Sequence, residues 1–183
     1  MESGANLLDR NLSAAFDYLD ADGDGRISRG DLMTLSERVC ERFGLTGGAQ
    51  RDGILAATQA WWDQLAADCK PSDGGITRDE FTSTMRNGRG DPKSYFEAGL
   101  GRISEVMAEA IDEDGDGYIE RDDYARWFAV TPLDQDIVRA AFERLDADGD
   151  GRITRAEFVS ATANVILSDN PADPGTAMLG QRG

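Results

Sequence analysis

The chain contains no histidine, and it is poor in cysteine and in positive charge. Without histidine it cannot form a Ser-His-Asp or Cys-His nucleophile or the usual histidine-bearing zinc site. Two cysteines, Cys40 and Cys69, are too few for a disulfide framework and favour a reducing compartment. The 19 basic residues are outnumbered by 35 acidic ones, and a net charge of −16 repels nucleic acids and anionic membranes.

The sequence also lacks a long apolar run. No stretch approaches the roughly 18 residues of a membrane span, and the first residues do not resemble a secretory signal. At 183 residues the chain is long enough for one compact domain or two small lobes. We therefore expect a soluble cytoplasmic protein with neither a nucleic-acid nor a membrane partner.

The acidic residues are concentrated in three similar windows. Hexapeptides of the pattern Asp-x-Asp-Gly-Asp-Gly occupy residues 20–25, 112–117 and 146–151, and one residue later each is followed by an isoleucine. The twelve-residue windows that begin there all end on an acidic residue. The three windows together hold 15 acidic and 5 basic residues, a net charge of −10, which leaves only −6 on the other 147 residues. The acidity is therefore local and indicates cation binding.

The spacing inside each window suits calcium, a hard cation that takes six to eight oxygen ligands. Carboxylates at positions 1, 3 and 5 converge when the chain curls, and glycine at position 6 permits the sharp turn. Position 7 offers a backbone carbonyl, position 9 acts through water, and the acid at position 12 closes the shell. The predicted ligands are Asp20, Asp22, Asp24, Arg26, Ser28 and Asp31; Asp112, Asp114, Asp116, Tyr118, Glu120 and Asp123; and Asp146, Asp148, Asp150, Arg152, Thr154 and Glu157.

Helices are predicted on both sides of the windows. Before the second window, Phe96, Leu100, Ile103 and Met107 follow helical spacing after an Asp91-Pro92 start. Three pairs resemble capping boxes at the starts of the exit helices. These pairs are Ser28 with Asp31, Thr77 with Glu80, and Thr154 with Glu157.

These helix–loop–helix units resemble EF-hands. Dockerins share the acidic loop pattern but lack such long incoming helices. Because EF-hands pair through a short β contact, a fourth unit is expected, and aligning Ile76 with the other isoleucines places Cys69 and Pro71 at positions 1 and 3. We number the units hand 1 (20–31), hand 2 (69–80), hand 3 (112–123) and hand 4 (146–157). Hand 2 is predicted to pair with hand 1 without binding calcium, and a soft-metal or redox role for Cys69 is disfavoured because no second thiolate lies nearby.

Active hands 1, 3 and 4 with a silent hand 2 are similar to the sarcoplasmic calcium-binding protein and calerythrin group, over about residues 5–168. The resemblance implies an all-α fold with four EF-hand units in two pairs, packed as one compact globule with tiny β contacts between paired loops. We expect an N-terminal pair in residues 1–90, a C-terminal pair in 91–168 and a flexible tail in 169–183. Coelenterazine photoproteins share the same pattern of active hands, but their pocket chemistry depends on histidines. Because this chain has no histidine, we do not expect a luminescent role.

Hands 1 and 3 end in aspartate, whereas hand 4 ends in glutamate. The shorter aspartate favours binding through one oxygen and a six-fold shell, which magnesium prefers. The sequence therefore predicts that magnesium competes at hands 1 and 3, and that hand 4 selects calcium best.

The favoured function is calcium buffering or transport by a monomer that is not an enzyme. The alternative is a calcium sensor that exposes a surface and regulates an unidentified partner protein. A sensor groove is often rich in methionine, but the chain has five methionines, scattered along its length. Core packing is the favoured interpretation of Trp61, Trp62 and Trp127, and a partner-docking site is the alternative. No nucleophile with a partner base is visible, and loop carboxylates account for the acidic clusters.

Overall fold

The computed structural model describes residues 6–71, 74–87, 91–131 and 133–179, and helices dominate this part of the chain. The elements are α1 (Leu7–Leu19), β1 (Arg26–Ile27), α2 (Arg29–Arg42), α3 (Ala49–Cys69), β2 (Ile76–Thr77), α4 (Arg78–Asn87), α5 (Pro92–Ala98), α6 (Leu100–Ile111), β3 (Tyr118–Glu120), α7 (Arg121–Phe128), α8 (Gln135–Leu145), β4 (Arg152–Thr154) and α9 (Arg155–Leu167). The predicted all-α fold with short β contacts is confirmed. Among the described residues no helix is both long and apolar enough to cross a membrane.

Two short antiparallel ladders join the loops in pairs. Ile27 of β1 lies opposite Ile76 of β2, and Ile119 of β3 lies opposite Ile153 of β4. All four isoleucines are buried. The register confirms the alignment that assigned position 8 of hand 2 to Ile76, so hand 2 pairs with hand 1 as predicted.

The exit helices begin at the predicted caps. Ser28 and Asp31 form a capping box at the start of α2, since each side chain accepts the other's backbone N–H. Thr154 and Glu157 do the same at the start of α9. The capping oxygens satisfy N–H groups that would otherwise have no partner in the first turn.

One apolar core extends across both EF-hand pairs. In the C-terminal pair Tyr124 packs against Phe142, with ring centroids 5.3 Å apart, and Trp127 packs against Phe158 at 4.7 Å. Tyr18 of α1 reaches across to Phe128 of α7, with centroids 6.4 Å apart. Contacts between α1 and α9 and between α3 and α6 also join the halves. The pairs therefore share their buried surface.

The helix predicted before hand 3 is interrupted, so the prediction of one continuous helix from Asp91 to the loop is wrong. Gly99 separates α5 from α6 with φ −119° and ψ −95°. A Cβ at this position would lie 2.9 Å from Trp61 Cδ1 and would clash with Gln64 of α3. The break thus allows the chain to pass close to α3, which periodicity could not reveal.

The segment after α9 is packed, although we expected a tail from residue 169 onward. Residues Pro174–Ala177 form a 3-10 helix that contacts α8 and α9, and Met178 is only 2% exposed. Arg144 donates to the backbone oxygen of Pro171 at 2.7 Å. Met178 anchors this polar segment to the core, and composition alone does not indicate such a contact. The last four residues of the expected tail lie outside the described residues.

Candidate metal centres

Hand 1 curls around the carboxylate of Asp20, which caps the C-terminus of α1. The backbone N–H groups of Gly23 and Gly25 donate to its two oxygens at 3.0 and 2.9 Å. Gly25 has φ +85°, a conformation that other residues adopt only with strain. Carboxylate oxygens of Asp20, Asp22 and Asp31 lie within 4.8 Å of one another. The loop therefore gathers positions 1, 3 and 12 around one point.

Hands 3 and 4 use the same backbone frame with a different set of carboxylates. Gly117 donates to Asp112, and Gly151 donates to Asp146, each at 3.0 Å. The oxygens that lie within 4.8 Å of one another belong to positions 1, 3 and 5 in both loops. These residues are Asp112, Asp114 and Asp116 in hand 3, and Asp146, Asp148 and Asp150 in hand 4.

The structure does not bring every predicted ligand into these groups. Asp24 accepts from the N–H of Arg26 at 2.8 Å and lies outside the group of hand 1. Asp123 bonds instead to Arg126 at 2.8 Å. Glu157 accepts from the N–H and hydroxyl of Thr154 at 2.8 and 2.9 Å. Asp31 likewise accepts from the N–H of Ser28 at 2.8 Å, so the position-12 carboxylate is engaged near the start of the exit helix in all three hands.

The residues predicted at positions 7 and 9 lie in or beside the ladders. Arg26, Tyr118 and Arg152 begin β1, β3 and β4. Ser28 and Thr154 are N-caps, and Glu120 is the N-cap residue of α7 but its side chain does not cap the helix. Burial raises the pKa of the Glu120 carboxyl. A cation nearby would stabilise the charged form of that carboxyl.

The donor set fits a hard divalent cation. Three of the loop aspartates are nearly buried, and an exposed fraction of 4–8% leaves their charges poorly solvated. These are Asp31, Asp112 and Asp146. Oxygen Oδ1 of Asp146 is buried and has no hydrogen-bond partner. Such an oxygen is costly unless a cation meets it, and carboxylate oxygens are what calcium and magnesium prefer.

Three arginines pair with loop carboxylates in the described part of the C-terminal pair, and the sequence patterns did not predict these contacts. Arg155 of hand 4 lies 3.4 Å from Asp112 of hand 3. Arg126 binds both Glu113 and Asp123, at 2.7 and 2.8 Å.

The third arginine is Arg152, which reaches across the β3–β4 ladder as Arg155 does. Arg152 of hand 4 contacts Asp150 at 2.9 Å and Asp116 of hand 3 at 3.8 Å. The contact lowers the pKa of Asp150. Arginines at positions 7 and 10 of a loop that faces a second acidic loop could have signalled these pairs.

The helix that leads into hand 2 ends differently from the helices that lead into the other hands. Cys69 is the last residue of α3, and Lys70 caps the helix in the left-handed conformation, with φ +50°. The thiol of Cys69 donates to Thr84 Oγ1 at 3.4 Å. Residues 72 and 73 of this loop lie outside the described residues. No carboxylate or thiol of hand 2 joins a metal-binding group within the described part of the chain.

Family models match most of the helix–loop–helix region. A model described as an EF-hand matches residues 12–36, and models described as an EF-hand domain pair match residues 72–128 and 109–163. These matches include all three acidic loops and residues 72–80 of hand 2.

Relatives and a solved structure agree with the family models. Calerythrin of Saccharopolyspora erythraea is 27% identical over 143 residues, which cover 73% of this chain and 77% of calerythrin. The sarcoplasmic calcium-binding protein of Perinereis vancaurica tetradentata is 28% identical over 167 residues, 90% of this chain and 92% of that protein. A calcium-binding protein of Streptomyces coelicolor superposes with a TM-score of 0.75 at 28% identity, and the match covers 87% of this chain and 97% of the other.

Proposed function

This chain belongs to the EF-hand calcium-binding proteins of the calerythrin and sarcoplasmic calcium-binding protein group, and from this premise we propose that it is a cytoplasmic, monomeric calcium buffer with three binding sites. The observation that carries the proposal is the gathering of three aspartates within 4.8 Å in each of hands 1, 3 and 4. Three ions would bring the net charge from −16 to −10.

We assign the ligands by loop position, with side chains at 1, 3, 5, 9 and 12 and a backbone carbonyl at 7. The groups within 4.8 Å support positions 1 and 3 in all three hands. Position 12 is supported most directly in hand 1, where Asp31 already lies with Asp20 and Asp22. In hand 3, Asp123 would have to exchange Arg126 for the ion.

The shared core supports a buffer. A sensor exposes a methionine-rich groove when it binds calcium, but Met107 and Met178 are 7% and 2% exposed and pack in the core that joins the two pairs. Trp61 and Trp127 are also buried there, and Trp62 is half-buried against the same core, which supports the core-packing interpretation. Opening either pair would therefore disrupt apolar contacts with the other.

A calcium sensor is the second candidate. The similar Streptomyces coelicolor protein is described as acting in prokaryotic calcium-mediated regulation. In that case calcium would expose part of the shared core to an unidentified protein target. Catalysis has no support in the loops, where the proposed role of the carboxylates is to hold ions.

Magnesium competition is a finer proposal. Hands 1 and 3 end in aspartate, which favours a six-fold shell and therefore tolerates magnesium better than the glutamate of hand 4. Titrating single-site variants with calcium in excess magnesium tests this order. The proposal fails if the Glu157 site is the one that magnesium displaces most readily.

Calorimetry with calcium tests the number of sites. The full chain should bind three ions, and Asp20→Asn, Asp112→Asn and Asp146→Asn should each remove one. Asp63→Asn is the control, because Asp63 lies outside the acidic loops, is exposed on α3 and accepts a hydrogen bond from Gln59. Three ions retained by the Asp146→Asn variant would contradict the assignment.

Fluorescence of the apolar dye ANS then separates buffer from sensor. Emission is compared in chelator, in magnesium and in calcium. A fall on adding calcium means that the ion closes the core, as a buffer requires. A rise from a low starting value means that calcium exposes a groove, and the sensor becomes the conclusion.

A further inference from the structure

A cavity of about 120 Å³ lies where the two EF-hand pairs meet. Both halves of the chain form its wall. Tyr18 and Val39 contribute from α1 and α2, and Met107, Trp127 and Val165 contribute from α6, α7 and α9. None of the proposed calcium ligands lines the cavity, so it is separate from the metal sites.

The wall is apolar and uncharged. None of its described residues is acidic or basic. Thr58 donates to a carbonyl of its own helix at 2.8 Å, so Ser36 supplies the proton of the 2.7 Å hydroxyl pair between them. Ser104 and Thr162 donate to carbonyls one turn earlier, at 2.7 and 3.1 Å. These four hydroxyl protons are therefore used within the protein.

Tyr18 and Tyr95 also line the cavity, and Trp127 adds an indole donor to its wall. The Trp127 Nε1–H is buried and has no hydrogen-bond partner. The ring is held in place by Phe128 and Phe158, with centroids 4.5 and 4.7 Å away. Since an unpaired buried donor is costly, an acceptor atom in the cavity would recover that cost.

The wall can also adapt to an occupant. Met85, Met107 and Met178 all line the cavity, which is three of the five methionines of the chain. Methionine side chains are flexible and polarisable and fit irregular shapes, including aromatic rings. Met178 comes from the packed C-terminal segment, so that segment closes one side.

We propose that this cavity binds a small neutral molecule with one aromatic ring or a short aliphatic chain, whose single acceptor atom bonds to Trp127 Nε1. An apolar protein cavity of about 150 Å³ stays dry and binds benzene, so the size suits one ring. A charged ligand is excluded, because the uncharged wall could not replace its hydration.

The test uses benzene and pyridine, two rings of equal size of which only pyridine has an acceptor. The calcium-loaded full chain is titrated at neutral pH, and the three tryptophan indole resonances are followed by ¹H–¹⁵N NMR. Both probes should bind saturably, and pyridine alone should shift the Trp127 N–H strongly downfield. Absence of a saturable shift with benzene overturns the proposal.

Two variants locate the probes. Trp127→Phe removes the donor and should weaken pyridine about threefold to tenfold while benzene still binds. Ser104→Leu fills space in the cavity and should weaken both probes. Ser160→Leu is the matched control, since Ser160 is exposed on α9 and its replacement should change neither.

Each result bears on the proposal. Benzene affinity unchanged by Ser104→Leu would place the probe elsewhere and overturn it. If that variant does not fold, Trp127→Phe still decides, because pyridine affinity unchanged by the loss of the donor contradicts the proposed bond.

Discussion

The two EF-hand pairs share a backbone frame but balance their charge differently. Hand 1 faces hand 2, which has no acidic residue at positions 1 and 3, and the two twelve-residue windows of that pair sum to a charge of −3 (seven acidic and four basic residues). Hands 3 and 4 face each other, and their windows sum to −8 (eleven acidic and three basic residues). In the second pair, arginines of hand 4 cross the ladder to Asp112 and Asp116 of hand 3.

The difference in charge balance indicates that two adjacent acidic loops repel each other and need compensating positive charge. Like charges a few ångströms apart repel strongly where solvent is partly excluded. Each part-exposed arginine contact contributes little by itself, but together they place positive charge between the loops. The hand 1 pair meets the same problem by leaving one loop without the ligands at positions 1 and 3.

Replacing the position-12 aspartate with glutamate should show the largest difference in stability between the two EF-hand pairs. Asp31 is 4% exposed and accepts from Ser28 N–H at 2.8 Å and from Asp22 N–H at 3.3 Å, so a longer side chain would have to displace these contacts. We expect Asp31→Glu to lower the free energy of unfolding by about 1–3 kcal/mol. Urea unfolding of the variant and the parent chain in the presence of chelator measures this difference in free energy.

Asp123→Glu is the matched change in hand 3. The Asp123 side chain is 22% exposed, so we expect its stability to stay within about 0.5 kcal/mol of the parent. Calcium should then be preferred over magnesium more strongly at this site, because glutamate can offer both oxygens. Equal destabilisation by the two substitutions would show that the pairs do not differ at position 12.

The clustering of the loop aspartates and the pairing of the loops could be predicted from the sequence, because both follow from local spacing. Glycine at position 6 and the acids at positions 1 and 3 lie within one turn of chain, and the isoleucine at position 8 fixes the ladder register. The capping boxes of α2 and α9 are equally local. Such features depend on neighbours a few residues away.

The features that escaped prediction depend on distant neighbours. Gly99 interrupts a helix because α3 passes close by, and Met178 anchors the C-terminal segment in a core formed by other helices. The contact of Arg155 with Asp112 joins residues that are 43 positions apart. Periodicity and composition carry no record of such contacts, so only the fold reveals them.

Removing Arg126 should strengthen calcium binding at hand 3. Its guanidinium binds Glu113 and Asp123 at 2.7 and 2.8 Å, and that contact must be exchanged when Asp123 meets an ion. We expect Arg126→Gln to raise the calcium affinity of hand 3 about twofold to fivefold, since a part-exposed pair is weak. Calorimetry on chains that also carry Asp20→Asn and Asp146→Asn isolates this site.

Arg121→Gln provides the control for charge and stacking. Arg121 also stacks on a ring, Phe142 at 4.8 Å, as Arg126 stacks on Phe43 at 4.4 Å. Its ion-pair partner is Glu143, at 3.3 Å, rather than a proposed ligand. If Arg121→Gln raises the affinity as much as Arg126→Gln, the gain comes from net charge alone.

Restoring carboxylates to hand 2 should have the smallest effect, because side chains are only part of what this loop lacks. In hands 1, 3 and 4 the position-1 aspartate caps the incoming helix, as Asp20 does with φ −76° and ψ 78°. In hand 2 the equivalent Cys69 is still helical, and the cap is Lys70 in the left-handed region. The double substitution Cys69→Asp and Pro71→Asp therefore places a carboxylate on a backbone that directs it differently.

We expect calorimetry to count three calcium ions in this double variant, as in the parent chain. The helix end sets the direction of the first ligand before any loop residue is chosen, and left-handed Lys70 fixes that end one residue later than in hand 1. A fourth ion would show that the loop rearranges freely and that the missing side chains alone keep hand 2 silent. The distinction between the pairs would then be one of composition and not of backbone.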